Sequence, residues 1–173
     1  IALRSLELPP GSEVLVPANS FISSAIGVQR AGLTVRFVDP NPETLLADGE
    51  SYSEAVTSQT SALMVVHLFG HVAPMGEILE FARKNDLKVI EDAAQAQGAR
   101  FNGDCVGALG DVGATSFYPG KNLGAFGDGG AVLSKSQTIA SRARKIRNLG
   151  SPRKYQHEVY GFNSRLDTLQ AGI

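Results

Sequence analysis

The stretch ALMVVHL, residues 62–68, decides the fold. Five consecutive apolar residues, Ala62 to Val66, leave no polar face, so a strand built from them must be covered on both sides. Two-sided burial belongs to a mainly parallel sheet flanked by helices. Outward from this stretch the signal recurs in EVLVP (13–17), TVRFVD (34–39), KVIED (88–92), GATSFY (113–118) and GAVLS (130–134). These runs are short and mostly β-branched, as strands are. Longer amphipathic segments alternate with them and predict helices over 20–31, 51–59, 75–86 and 136–149. In MGEILEFARKN, Met75, Ile78, Leu79 and Ala82 recur at helical spacing until Asn85-Asp86 breaks the run. The pattern is that of βαβ units, an α/β class. Ligands of such open sheets bind beyond the carboxyl ends of the strands. That rule points to Asn19, Ser20, Phe21, His67, Asp92 and Ser116.

Composition narrows the function. The 173 residues are 43% hydrophobic, enough for one domain with a real core. Lys and Arg (16) nearly balance Asp and Glu (17), so no net field favours nucleic acid or an anionic membrane, and neither is expected as a partner. A single cysteine, Cys105, excludes an internal disulfide framework and fits a reducing, cytoplasmic compartment. His67 and His71 are four apart, but a glycine and a strand-to-turn context separate them, and no metal is expected. No run approaches the ~20 apolar residues of a membrane span. The chain opens inside the apolar run IALRSLEL and closes inside DTLQAGI, and is therefore read as a piece of a longer polypeptide.

One lysine, Lys121, stands in SFYPGKNLGAFGDGG (116–130), which has no other positive charge. A phosphate-cradling P-loop needs glycine five residues before its second glycine and a hydroxyl after the lysine. Those places hold Thr115 and Asn122. A dinucleotide fingerprint fails too, because GAFGDGG has the wrong spacing and precedes a strand. A solvated turn lysine remains, as does a second reading supplied by VIEDAAQAQGA (89–99), in which a strand delivers Glu91 and Asp92 to its carboxyl end. By itself Asp92 reads as readily as a helix cap. Paired with Lys121 it gives the Schiff-base lysine and the pyridinium carboxylate that pyridoxal phosphate requires of a protein.

With those residues in hand, the chain resembles the DegT/DnrJ/EryC1/StrS sugar aminotransferases, a branch of the fold-type I pyridoxal-phosphate enzymes. The resemblance runs through GSEVLVPANSFISSA, VVHLFGHVAPM, VIEDAAQAQGA, SFYPGKNLGAFGDGGAV and GFNSRLDTLQAG, in that order. It implies a seven-stranded-type, mainly parallel sheet with flanking helices. Residues 1–173 would be a central piece of the large domain, with an amino-terminal phosphate loop and a carboxyl-terminal small domain outside it. Pyridoxal 5'-phosphate is the implied cofactor. Lys121 matches its covalent anchor, Asp92 the partner of the ring nitrogen, Gln95 the hydrogen-bond partner of the phenolic oxygen, Ser116 a phosphate-binding hydroxyl and Phe21 the aromatic stacked on the ring. Asn163 in GFNSR resembles a residue that reaches the cofactor phosphate of a neighbouring subunit. From the residues alone, Phe21 also reads as core and Ser116 as an ordinary strand hydroxyl.

The resemblance further implies transamination of a nucleotide-linked keto sugar, with a thymidine-diphosphate 3-keto-6-deoxyhexose favoured over a 4-keto sugar and glutamate as amino donor. It implies a homodimer that shares its active sites. Relatives with histidine in place of the lysine act as dehydratases, and Lys121 argues against that chemistry. A non-catalytic binding module is the alternative from another class. The run RARKIRNLGSPRK carries six cations from Arg142 to Lys154, read either as a solvated helix face or as a steering field for a sugar diphosphate.

Overall fold

The computed structural model describes residues 1–173. In chain order its elements are α1 (Ala2–Ser5), β1 (Glu13–Pro17), α2 (Ile22–Arg30), β2 (Thr34–Val38), α3 (Gly49–Ala55), β3 (Thr60–Val66), a 3-10 turn (Leu68–Gly70), α4 (Met75–Lys84) and β4 (Lys88–Asp92). There follow β5 (Arg100–Phe101), β6 (Asp104–Cys105), β7 (Val112–Ser116), β8 (Gly130–Leu133), α5 (Gln137–Arg147) and α6 (Thr168–Ala171). The main sheet has the order β2-β1-β3-β4-β7-β8. Its first five strands are parallel and β8 returns antiparallel to β7. These residues thus form six strands of the seven-stranded type that the resemblance implies.

Strand β3 accounts for the architecture. Leu63 and Val65 face one layer, with Tyr52, Met75, Ile78 and Ala82 of α3 and α4. Ala62 and Met64 face the other, with Leu3 of α1 and Val28 of α2. Each face is sealed by helices, which is why this strand has no polar alternation. Edge strand β2 is mostly exposed and accordingly carries Arg36.

Element ends follow local chemistry. Helix α2 starts at Ile22 rather than 20, because Phe21 is extended (φ −67°, ψ 143°). Helix α3 starts at Gly49, where the Asp48 carboxylate accepts the Ser51 N–H at 2.9 Å, and stops at Ala55 because Val56 is extended. Helix α4 ends at Asn85-Asp86, with Asp86 in the left-handed region at φ 53°. The β5–β6 hairpin is signalled by Asn102-Gly103, both at positive φ (50° and 89°), the pairing that two-residue hairpins favour. No helix is long and apolar enough to cross a membrane.

Candidate active site

Neighbours on β4, Glu91 and Asp92 point to opposite sides because strand side chains alternate. Glu91 is fully buried. Its oxygens accept the N–H groups of Gly107 (2.6 Å), Leu109 (2.6 Å) and Gly110 (2.7 Å), and His67 Nε2 lies 3.1 Å away. The Ala73 N–H donates to His67 Nδ1 at 3.2 Å, so the ring proton sits on Nε2 and is donated to Glu91. Burial pushes the Glu91 pKa up, but the hydrogen bonds from His67, Gly110 and Gly107 outweigh it and hold the carboxyl below its ordinary value. Glu91 therefore anchors the loop before β7. His67 is buried in that same structural task, while His71 is exposed.

Asp92 turns the other way and is half-buried. Oδ2 accepts the Ser24 hydroxyl at 2.8 Å and Oδ1 accepts the Ala94 N–H at 3.1 Å. It caps no helix. Two donors fix the carboxylate at the strand end and leave lone pairs for a cationic group. Three residues on, Gln95 Oε1 accepts the Phe69 N–H at 2.7 Å. With the oxygen so engaged, its NH2 is the end available to an acceptor, as a phenolic oxygen requires.

Adjacent strand β7 brings the lysine. Asp92 of β4 is in register with Ala114 of β7, two residues before Ser116. Ser116 Oγ accepts the Tyr118 N–H at 3.2 Å, which leaves the hydroxyl hydrogen free. The chain then turns, with the Lys121 N–H bonded to Tyr118 O at 2.9 Å. Lys121 is half-buried, and its Nζ engages no hydrogen bond or ion pair. The glycines of this stretch do not supply left-handed turns. None between 120 and 130 has a positive φ. They permit close approach instead: a Cβ on Gly124 would lie 2.6 Å from Pro119 O, and one on Gly130 2.6 Å from Thr115 O.

Phe21 is 68% exposed, so the core reading fails. It immediately precedes α2, and its carbonyl accepts the N–H of Ser24, the residue that holds Asp92. Its backbone therefore adjoins the residue that holds Asp92. Asn163 does not join this cluster. It bridges Asn148 and lines a cavity of about 410 Å³ with Arg4, Gly27 and Arg30, toward the carboxyl end of α2. Within the basic run, Arg142 pairs with Glu7 at 2.7 Å and Lys145 with Glu158 at 2.5 Å. Sequence reasoning misses Ser24, although it lies three residues beyond Phe21 in one of the blocks that carry the resemblance. It also misses Gln97, two residues beyond Gln95 in the same short loop, a spacing that could have marked it.

The side chains gathered here suit pyridoxal phosphate on their own chemistry. An anchored carboxylate, an amide with its NH2 free, a hydroxyl with its hydrogen free and an unpartnered lysine follow the carboxyl ends of two adjacent parallel strands. Fold and site together define a mainly parallel α/β domain, a class whose ligands bind beyond the carboxyl ends of the strands. The chain belongs to the DegT/DnrJ/EryC1/StrS aminotransferase family, which it matches over residues 1–173.

Among its relatives, dTDP-3-amino-3,4,6-trideoxy-alpha-D-glucose transaminase of Streptomyces venezuelae is 47% identical across the whole chain, which spans 46% of that protein. A UDP-N-acetyl-3-dehydro-alpha-D-glucosamine 3-aminotransferase of Acidithiobacillus ferrooxidans is 46% identical across the chain, again over 47% of its length. The chain thus spans about half the length of the curated relatives it matches. The crystal structure of S. venezuelae DesV superposes with a TM-score of 0.95 at 48% identity, covering 98% of this chain and 46% of that one. A Bacillus subtilis structure with bound cofactor PMP superposes with a TM-score of 0.91 at 35% identity, covering 98% and 39%.

Proposed function

We propose that the protein containing this chain is a pyridoxal-phosphate-dependent transaminase. Its substrate is a nucleotide-linked keto sugar, a dTDP-3-keto-6-deoxyhexose, and glutamate is the amino donor. The observation that supports this is that Asp92 and Gln95 follow the carboxyl end of β4 while Ser116 and the Lys121 turn follow that of its parallel neighbour β7. The choice of sugar is supported by the relatives: one acting on a dTDP-3-amino sugar is 47% identical, and dTDP-3-amino-3,6-dideoxy-alpha-D-galactopyranose transaminase of Aneurinibacillus thermoaerophilus is 47% identical as well.

Each residue has a task. Asp92, held by Ser24 and the Ala94 amide, sets a fixed negative charge against the ring nitrogen and favours its protonated form. Gln95 would donate its free NH2 to the phenolic oxygen, Phe21 would offer its ring to the cofactor, and the Ser116 hydroxyl would donate to the phosphate. Pyridoxal phosphate, when bound, supplies an electron sink for the carbon that carries the amino group. Lys121 Nζ would be the covalent anchor and, when not so engaged, would hold and move a proton at the substrate carbon as general acid and base. Asn163, set apart from this cluster, is assigned to the neighbouring subunit's cofactor phosphate in a homodimer.

A regulatory, non-catalytic reading is supported by two relatives' names: pleiotropic regulatory protein of Geobacillus stearothermophilus, also 47% identical, and erythromycin biosynthesis sensory transduction protein EryC1 of Saccharopolyspora erythraea, 44% identical. Purified full-length protein incubated with glutamate and the dTDP-3-keto sugar separates the two readings. Formation of the amino sugar with release of 2-oxoglutarate is expected, and its absence despite bound cofactor favours the regulatory reading.

A further inference from the structure

Gln97 lies beyond the residues assigned above, and its bonds link the two strand ends. Its Nε2 donates to Ser116 O at 2.9 Å and to Thr115 Oγ1 at 3.0 Å, with Ala94 O at a longer 3.3 Å. Thr115 Oγ1 passes its own hydrogen to Ala93 O at 3.2 Å, so it is the acceptor toward Gln97. One side chain thus ties the loop that follows Asp92 to the last two residues of β7.

The other end of this amide argues against a role in stability alone. Gln97 Oε1 is buried and has no hydrogen-bond partner, the one such side-chain atom in the chain. Burying an acceptor without a donor is unfavourable, and an apolar side chain of similar size would avoid it. What the amide contributes is its NH2 group. What that group holds is the carbonyl of Ser116, whose Oγ already receives the Tyr118 N–H and so has only its hydrogen left to give. Fixing the carbonyl fixes the Ser116 backbone, and with it the direction in which that hydrogen is presented.

We propose that Gln97 is a positioning residue for the phosphate end of the cofactor, acting through Ser116. The inference rests on the pyridoxal-phosphate reading given above. Its test compares pyridoxal 5'-phosphate with pyridoxal, which lacks the phosphate, by titrating full-length protein and following the visible absorbance of the Lys121 adduct. In Gln97→Leu the Kd for pyridoxal phosphate should rise ~10-fold, equivalent to ~1.4 kcal/mol, while the Kd for pyridoxal stays the same. Ser116→Ala should give the same selective loss, and the double variant should be no worse than Ser116→Ala alone, because the two act as one unit.

Equal weakening of both ligands, or additive losses in the double variant, would overturn the inference. Should Gln97→Leu fail to fold, Thr115→Val removes one of the amide's two short bonds and should give a smaller loss selective for the phosphate. An unchanged affinity in that variant overturns the proposal. Absence of the adduct in the unsubstituted protein would instead sink the functional reading, before any variant at position 97 is considered.

Discussion

Glu91 has no exposed surface, yet it keeps a carboxylate charge by drawing three backbone N–H groups and the His67 ring onto its two oxygens. Both oxygens accept, so Glu91→Gln turns an NH2 toward groups that are themselves donors. A loss of about 3 kcal/mol in unfolding free energy is expected by urea titration, within the range for breaking a buried pair. The pH dependence has a definite sign. The folded-state pKa lies below the unfolded value, so this stabilisation is complete above the ordinary carboxylate pKa of about 4.3 and is lost as pH falls below it. Between about pH 5 and pH 3 the melting temperature of the unsubstituted protein should fall more steeply than that of Glu91→Gln. An equal slope in the two proteins would mean that Glu91 carries no such linkage. Ser24 is the matching residue on the other side of β4. Ser24→Ala removes one of the two donors to Asp92 and should weaken cofactor binding several-fold, read by the same visible titration, with little change in melting temperature.

At the scale of elements, the approach of β7 to the loop before it depends on absent side chains. A Cβ on Gly113 would overlap the carbonyl of Gly107, and this loop is also the one Glu91 holds. Gly113→Ala should therefore destabilise the fold by about 3 kcal/mol, at the upper end for overpacking. An unchanged urea midpoint would contradict this packing. These elements differ in how far the sequence announces them. The apolar run of β3 and the 3.6-residue repeat of α4 are legible because two-sided and one-sided burial leave distinct patterns in the chain. Boundaries shift where a single residue decides, as with extended Phe21 and the Asp48 cap. The short α1 and α6 carry too few turns to set a period. At the site, Lys121 and Asp92 are proposed from one motif and one strand end, and Gln95 from the family resemblance alone. Ser24 and Gln97 stay hidden because what they do depends on strand β4 lying beside α2 and β7, a tertiary fact.

Across the whole molecule, large apolar side chains stand exposed around the strand ends and the final segment: Phe69 at 79%, Phe126 at 82% and Tyr160 at 95%. The proposed homodimer would cover groups of this kind if they form one contiguous patch. The proposed homodimer makes a specific demand on them. If Asn163 serves the partner's cofactor and Lys121 its own, Lys121→Ala and Asn163→Ala proteins, unfolded together and refolded as a mixture, should regain activity that neither has alone. No recovery, with mixed dimers demonstrably formed, would assign Asn163 to another task. The central claim is that Lys121 is the covalent anchor of pyridoxal phosphate, and it is tested most directly by borohydride reduction of the loaded full-length protein followed by peptide mass spectrometry. A pyridoxyl-phosphate mass fixed on Lys121, and lost together with the visible absorbance in Lys121→Ala, is the result predicted. The mass on any other lysine, or on none, would contradict it.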